Sequence, residues 1–255
     1  MLFSFLILLI LINYVISKTA TIKKTTSSMN IQHKIGQMGQ LDIGLFMKPD
    51  RTVDYDMMWS WFDSYKTGSV LDAPTSVGPF DDGNSGWNAT EWRQLINTMQ
   101  SISMQTTGIP ILYGLDSIHG ATYVKGATLF PAQLNIAATF NPEHARITGE
   151  ITSKDTRAAG IQWLFSPVQG LALHPAWARF HETFGEDPHL AAMMGAAMID
   201  GIQTEGDVGY PTKAAACMKH FIGYSQPYSG KWCSDVMLML MCYCCRYCYY
   251  YCLYL

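Results

Sequence analysis

An aspartate, an arginine, a lysine and a histidine hold matching places in a repeating pattern and make the strongest chemical signal in the sequence. Asp116 closes the apolar run at 109–115 (IPILYGL). Arg179 lies in the loop after the run at 163–168 (WLFSPV), and Lys219 and His220 stand near the end of the run at 214–221 (AAACMKHF). Around one crevice, a carboxylate, a guanidinium, an ammonium and an imidazole can each donate to or accept from several hydroxyls, so the set suits a neutral, hydroxyl-rich ligand. Each residue also has a plain structural role open to it: Asp116 as a helix cap, Arg179 as a loop clamp on Glu182 or Glu186, Lys219-His220 as a solvated strand end. Their convergence on one mouth is what favours a site.

Other apparent motifs fail. His181-Glu182 is not followed by the second histidine of an H-E-x-x-H zinc helix, so no metal site is expected there. Ser117 and His119 lack the G-x-S-x-G elbow of a serine hydrolase. The loop at 114–120 (GLDSIHG) has neither the P-loop lysine nor the dinucleotide glycine pattern, and no cofactor is implied. Asp81-Asp82 before Gly83 reads as a turn. With a net charge of −3 there is no basic face for a nucleic acid.

The elements that must position the four residues alternate strand and helix. Strand candidates are 68–71 (GSVL), 109–115, 163–168 and 214–221. Between them, Thr90 is placed to cap a helix whose Trp92, Leu95, Ile96, Met99 and Ile102 follow an i, i+3, i+4, i+7 pattern. Asn141-Pro142 and Asp187-Pro188 each offer an N-cap followed by proline at the first helical position. The first of these helices is expected to end near Gly160, and the second to bury Leu190, Met193, Met194, Ala197 and Met198. Such alternation predicts an α/β fold with a parallel sheet, doubly wound or a (β/α)8 barrel, whose crevice opens at the carboxyl ends of the strands.

The whole chain of 255 residues is 49% hydrophobic and 15% charged, which describes a globular protein. Its two ends differ from its body. Residues 2–16 (LFSFLILLILINYVI) carry no charge, and Val15 and Ser17 are small enough to precede a cut before Lys18, so 1–17 is read as a signal peptide. The run is shorter than the roughly 20 apolar residues of a membrane span. Asn88-Ala89-Thr90 is a glycosylation sequon, in keeping with a secreted or lysosome-like location and no membrane attachment after cleavage. Six of the seven cysteines, Cys233, Cys242, Cys244, Cys245, Cys248 and Cys252, fall in 233–255, and only Cys217 lies in the body 18–232. The tail could be a second span, a lipid-anchor signal or a thiol cluster. Its tyrosine-rich, low-complexity character reads best as sequence unrelated to the body, as a frameshift or intron read-through would produce.

The strings HKIGQMGQ (33–40), YGLDSIHG (113–120), GATLFPAQLN (126–135), FSPV (165–168), RFHETFGEDPHL (179–190) and KHFIGY (219–224) occur in an order that resembles glycoside hydrolase family 3. The resemblance is to its β-glucosidase branch, lysosomal β-glucosidase-like members included, and runs from about residue 31 to 232. It implies the barrel-type N-terminal domain and a β-glucoside or β-glucan substrate. Asp116 matches the family's sugar-binding aspartate, Arg179 the arginine of its W-G-R segment, and Lys219 and His220 its lysine-histidine pair.

The sequence departs from the pattern where Gly170 replaces the acid after FSPV. The D-P-R-W-G-R segment also reads His174-Pro175-Ala176-Trp177-Ala178-Arg179, which removes the ion pairs expected to brace Arg179. The resemblance implies retaining hydrolysis by a nucleophilic aspartate and a separate acid/base, and neither has a counterpart in this chain. Asp235 lies too soon after His220 for another helix and strand, and Val236 stands where an aromatic is expected. About the first half of a barrel is therefore expected, carrying the sugar-binding half of the site of an enzyme that releases terminal β-D-glucosyl residues, and inactive alone. The competing reading is a non-catalytic secreted or membrane-attached sugar-binding module. An open half-barrel is also expected to aggregate.

Overall fold

A computed structural model describes residues 26–74, 86–203, 211–220 and 224–225. The predicted leader, the turn at Asp81-Asp82 and the tail from Cys233 lie outside the described residues.

Five strands form one parallel sheet: β1 (Gln40–Asp42), β2 (Ser69–Leu71), β4 (Leu112–Leu115), β6 (Trp163–Leu164) and β7 (Ala215–Ala216). They lie side by side in chain order. Each of the first four is followed by a helix that returns the chain to the start of the next: Tyr55–Tyr65, Ala89–Thr106, Pro142–Ala158 and Pro188–Gln203. Sequential order with every pair parallel is the winding of a (β/α)8 barrel, whereas a doubly wound sheet reverses direction part-way. The described part is an incomplete barrel of that type.

Four of the five strands are legible as apolar runs. β1 is not, because only Leu41 of its Gln-Leu-Asp is even partly buried. A separate parallel pair, β3 (Trp87–Asn88) with β5 (Val124–Lys125), sits outside the main sheet and escapes a reading by pattern, being two residues long on each side.

Local signals explain the helices. Asn88, not Thr90, caps Ala89–Thr106: its Oδ1 accepts from the Thr90 and Glu91 N–H groups at 2.9 and 3.1 Å. Glu91 returns a carboxylate oxygen to the Asn88 N–H at 2.8 Å, completing a capping box. Threonine qualifies by side-chain type, but the apolar stripe begins at Trp92, and a cap four residues before it serves the first turn better. The stripe from Trp92 to Ile102 is buried as its period requires. Asn141 and Asp187 cap their helices ahead of proline as expected.

Helices Pro142–Ala158 and Pro188–Gln203 pack backbone against backbone. A Cβ on Gly149 would lie 2.3 Å from the Met198 carbonyl, and one on Gly201 2.0 Å from the Arg146 carbonyl, so both positions require glycine. That close approach turns Met194 and Met198 inward and leaves Met193 at 46% exposure, against the expectation that it is buried.

Two apolar clusters fill the space between sheet and helices. One gathers Phe46, Phe62, Trp92, Met99, Tyr113 and Leu115; the other Ile136, Leu164, Phe184, Met194 and Met198. In the first, Phe46 meets Phe62 edge-on at 6.0 Å and Trp92 meets Tyr113 at 5.7 Å. No disulfide contributes among the described residues, where Cys217 is a free thiol.

Candidate functional site

Past Leu115 the chain leaves the sheet and carries Asp116 over its carboxyl end. After β7 it stays laddered on its neighbour as far as a bridge between Lys219 and Val168, and His220 follows. The Lys219–His220 peptide is cis. Arg179 opens the 3-10 turn Phe180–Glu182 in the loop after β6. All four predicted residues line one cavity of about 340 Å³, together with Ile118, His119, Thr122, Tyr123 and Glu182.

The polar groups are organised as two ion pairs, one of which also bonds an imidazole. The Lys219 ammonium bonds the Asp116 carboxylate, and it also lies 5.9 Å from the Phe165 ring centre. Arg179 donates through Nε to both carboxylate oxygens of Glu182 at 2.9 and 3.0 Å, and the two side chains are only 14% and 15% exposed. Its Nη1 reaches His220 Nε2 at 3.2 Å. A guanidinium can only donate, so Nε2 must accept, which assigns the His220 proton to Nδ1. Nδ1 is buried without a hydrogen-bond partner among the described residues.

Burial, reinforced by the charges of Arg179 and Lys219, pushes the His220 pKa down to about 4, so the imidazole is neutral near pH 7. Tyr224 closes this side, its ring 4.4 Å from that of His220 and 5.5 Å from the Arg179 guanidinium carbon. The Tyr123 phenol is raised by burial and by the Asp116, Asp72 and Glu182 carboxylates.

Glycine at 114 shapes the floor. A Cβ there would sit 2.2 Å from the Phe165 ring, so its absence lets Phe165 lie across β4 beneath Lys219. Gly170 also stands close to its neighbour, since a Cβ there would come within 2.8 Å of Ser225.

The loop clamp open to Arg179 as an alternative to a site role exists, with Glu182 as partner, yet the same guanidinium lines the cavity. Glu182, three residues downstream, supplies an ion pair of its own where His174 and Ala176 stand in place of the family's charged residues. Sequence reasoning misses His119, Thr122, Tyr123 and Tyr224. His119 and Tyr224 sit inside the strings YGLDSIHG and KHFIGY, which are the available signal. Tyr123 has none, because its place depends on a loop held from outside by the Trp92 indole, which donates to the Tyr123 carbonyl at 2.8 Å.

Residues 30–235 match the glycosyl hydrolase family 3 N-terminal domain. The chain belongs to glycoside hydrolase family 3. Among curated relatives, a lysosomal beta glucosidase of Dictyostelium discoideum is 44% identical over 228 residues, covering 86% of this chain and 28% of that protein. Beta-glucosidase C of Emericella nidulans is 30% identical over 187 residues, covering 62% of this chain and 30% of that protein. Among solved structures, the exo-1,3/1,4-beta-glucanase of a Pseudoalteromonas species superimposes with a TM-score of 0.69 at 30% identity, covering 83% of this chain and 25% of that one. A Listeria innocua beta-glucosidase in complex with glucose gives 0.66 at 28% identity, covering 83% and 28%. This family 3 chain thus spans about a quarter of the length of the relatives it matches.

Proposed function

We propose that the cavity is the glucosyl-binding half of a β-glucosidase site, and that the full-length enzyme releases terminal β-D-glucosyl residues from β-glucosides or β-glucan oligosaccharides by a retaining, two-carboxylate mechanism. The observation that carries this reading is the joint placement of Asp116, Arg179, Lys219 and His220 on one cavity. Asp116 accepts from sugar hydroxyls, Lys219 and Arg179 donate to them, and neutral His220 serves without adding a third positive charge. The relatives' names and the glucose-bound Listeria innocua neighbour support glucose as the sugar.

The cavity's two carboxylates, Asp116 and Glu182, are each tied to a cation. We assign both to holding rather than attacking, in line with Asp116's match to the family's sugar-binding aspartate. The nucleophile and the acid/base then belong to other parts of the full-length enzyme. Within the chain, 1–17 acts as a signal peptide, 18–232 as the barrel domain and 233–255 as an unrelated tail, of which the first three residues, 233–235, still fall within the family match. Asn88 carries a glycan on the exposed start of its helix, where Oδ1 caps the backbone and Nδ2 remains for the sugar. A lysosome-like or secreted location follows from the leader, and the D. discoideum relative's name agrees with it. No helix among the described residues is long and apolar enough to cross a membrane.

Calorimetric titration of the chain with glucose, beside an assay of aglycone release from an aryl β-glucoside, tests the proposal. We expect saturable glucose binding without release. Asp116→Asn is expected to weaken binding by about 1.5–3 kcal/mol, the worth of a charged hydrogen bond. Aglycone release abolished by Asp116→Asn would overturn the division of labour, and no glucose binding would overturn the sugar reading.

A further inference from the structure

Gln133 is an uncharged, fully buried side chain at the start of the helix Gln133–Ala137, exposed by only 1%. Nothing in its own helix needs its amide. Both ends of that amide are spent on one residue of the sheet: Nε2 donates to the Val168 carbonyl at 3.0 Å, and Oε1 accepts from the Val168 N–H at 3.1 Å.

Val168 is where the sheet loses a strand. Shortly before it, the Phe165 N–H still bonds the Leu115 carbonyl at 2.9 Å, so β4 and β6 are paired up to Leu115. The chain then departs with Asp116, and the edge of the 165–169 segment that faced β4 has no backbone partner from it. On the opposite edge, the Lys219 N–H bonds the Pro167 carbonyl at 3.0 Å and the Gln169 N–H bonds the Lys219 carbonyl at 2.7 Å. A primary amide offers the same donor and acceptor as a peptide group, so Gln133 takes the place of the missing strand residue.

We propose that Gln133 is a positioning residue of the sugar site: its amide substitutes for a strand at Val168, which lets Asp116 leave the sheet while Lys219 and His220 stay laddered on the other edge. Without it, the buried Val168 N–H and carbonyl lose both partners, and the segment to which Lys219 is paired must shift or admit water. Lys219 then moves relative to Asp116, and His220 relative to Arg179. The helix bearing Gln133 is thereby part of the site, though its side chain does not line the cavity. The assignment to a sugar site rests on the proposed function; the geometric claim does not.

The two are separable by experiment on the full chain. Gln133→Met keeps the volume and removes both hydrogen bonds, and Ile136→Val, at a buried position in the same helix, loosens packing without touching Val168. The His220 imidazole, which faces Arg179, Lys219, Glu182 and Asp116, is titrated by NMR in each, with thermal melts recorded alongside. In Gln133→Met we expect the His220 midpoint to rise by about one unit or more, as it loses burial and its guanidinium contact. Glucose affinity is expected to fall about tenfold, the worth of one good hydrogen bond. Ile136→Val should lower the melting temperature and leave both unchanged.

Gln133→Leu likewise removes both hydrogen bonds without adding a charge to this buried position, and serves if the methionine variant does not fold. An unaltered His220 midpoint in whichever glutamine variant folds overturns the positioning role. A shifted midpoint in a chain that never bound glucose keeps that role and removes the sugar.

Discussion

His220 illustrates how a residue's chemistry comes from its neighbours rather than its type. A free imidazole titrates near 6.5, yet here the pKa is pushed down to about 4, first by burial and then by Arg179 and Lys219. The sign for stability follows. The unfolded chain takes up a proton as pH falls through about 6.5 while the folded one does not until about 4, so acid favours unfolding across that window. Urea midpoints at pH 7 and pH 4.5 should therefore differ more in the wild type than in His220→Asn. Equal differences would mean that His220 is not held neutral. Below pH 4 the protonated ring can no longer accept from Arg179, and glucose binding should be lost there as well. Arg179 is predicted from its position after the third strand candidate. Its pairing with Glu182 is open in the sequence as a loop clamp; its contact with His220 is not, because the stretch of chain between the two carries no pattern.

At the scale of elements, short-range signals are the readable ones. Proline after asparagine or aspartate marks two helix starts because capping is decided within one turn. The cap of Ala89–Thr106 lies two residues from its expected place, since both Asn88 and Thr90 can accept backbone hydrogen bonds and only geometry selects between them. Asn88→Ala removes the capping box and should destabilise the fold by about 1 kcal/mol in urea unfolding. Expression in a host that does not glycosylate keeps the sequon out of the comparison. β4 offers a test that joins an element to the site. Gly114→Ala places a methyl against the Phe165 ring, 2.2 Å away, and Phe165 lies under Lys219. Overpacking of this kind costs about 1–3 kcal/mol, and we expect glucose affinity to fall with it. A variant that binds glucose as well as the wild type would show that the floor is soft and that Phe165 does not fix Lys219.

For the molecule as a whole, the described sheet has two edges, β1 and β7, each with a single neighbour. Its inner side leaves Leu112 52% exposed. Unpaired strand edges beside apolar surface promote association. Sedimentation velocity across a concentration series should show self-association, and a dye specific for exposed apolar surface should bind. Leu112→Asn should reduce both. A monodisperse monomer that binds no dye would show that the inner face is covered.

The sequence by itself determined the alternation of strand and helix, the buried stripe of the Trp92 helix, two of the caps and the identity of four cavity residues. Each of these is encoded in local periodicity or in a contiguous string. Tertiary structure alone decided the rest. It supplied the strand order itself, which bears out the barrel-type winding that the family resemblance implied and that periodicity alone left open against a doubly wound sheet, because long-range pairing is something no local pattern records. It added β1, whose three residues gain their strand character only from β2 beside them. It also brought the two apolar clusters together, with Asp116 following the strand of one and Arg179, Lys219 and His220 carried by elements of the other. A site assembled across two clusters is fixed by how they pack, and packing is where side chains distant in sequence first meet.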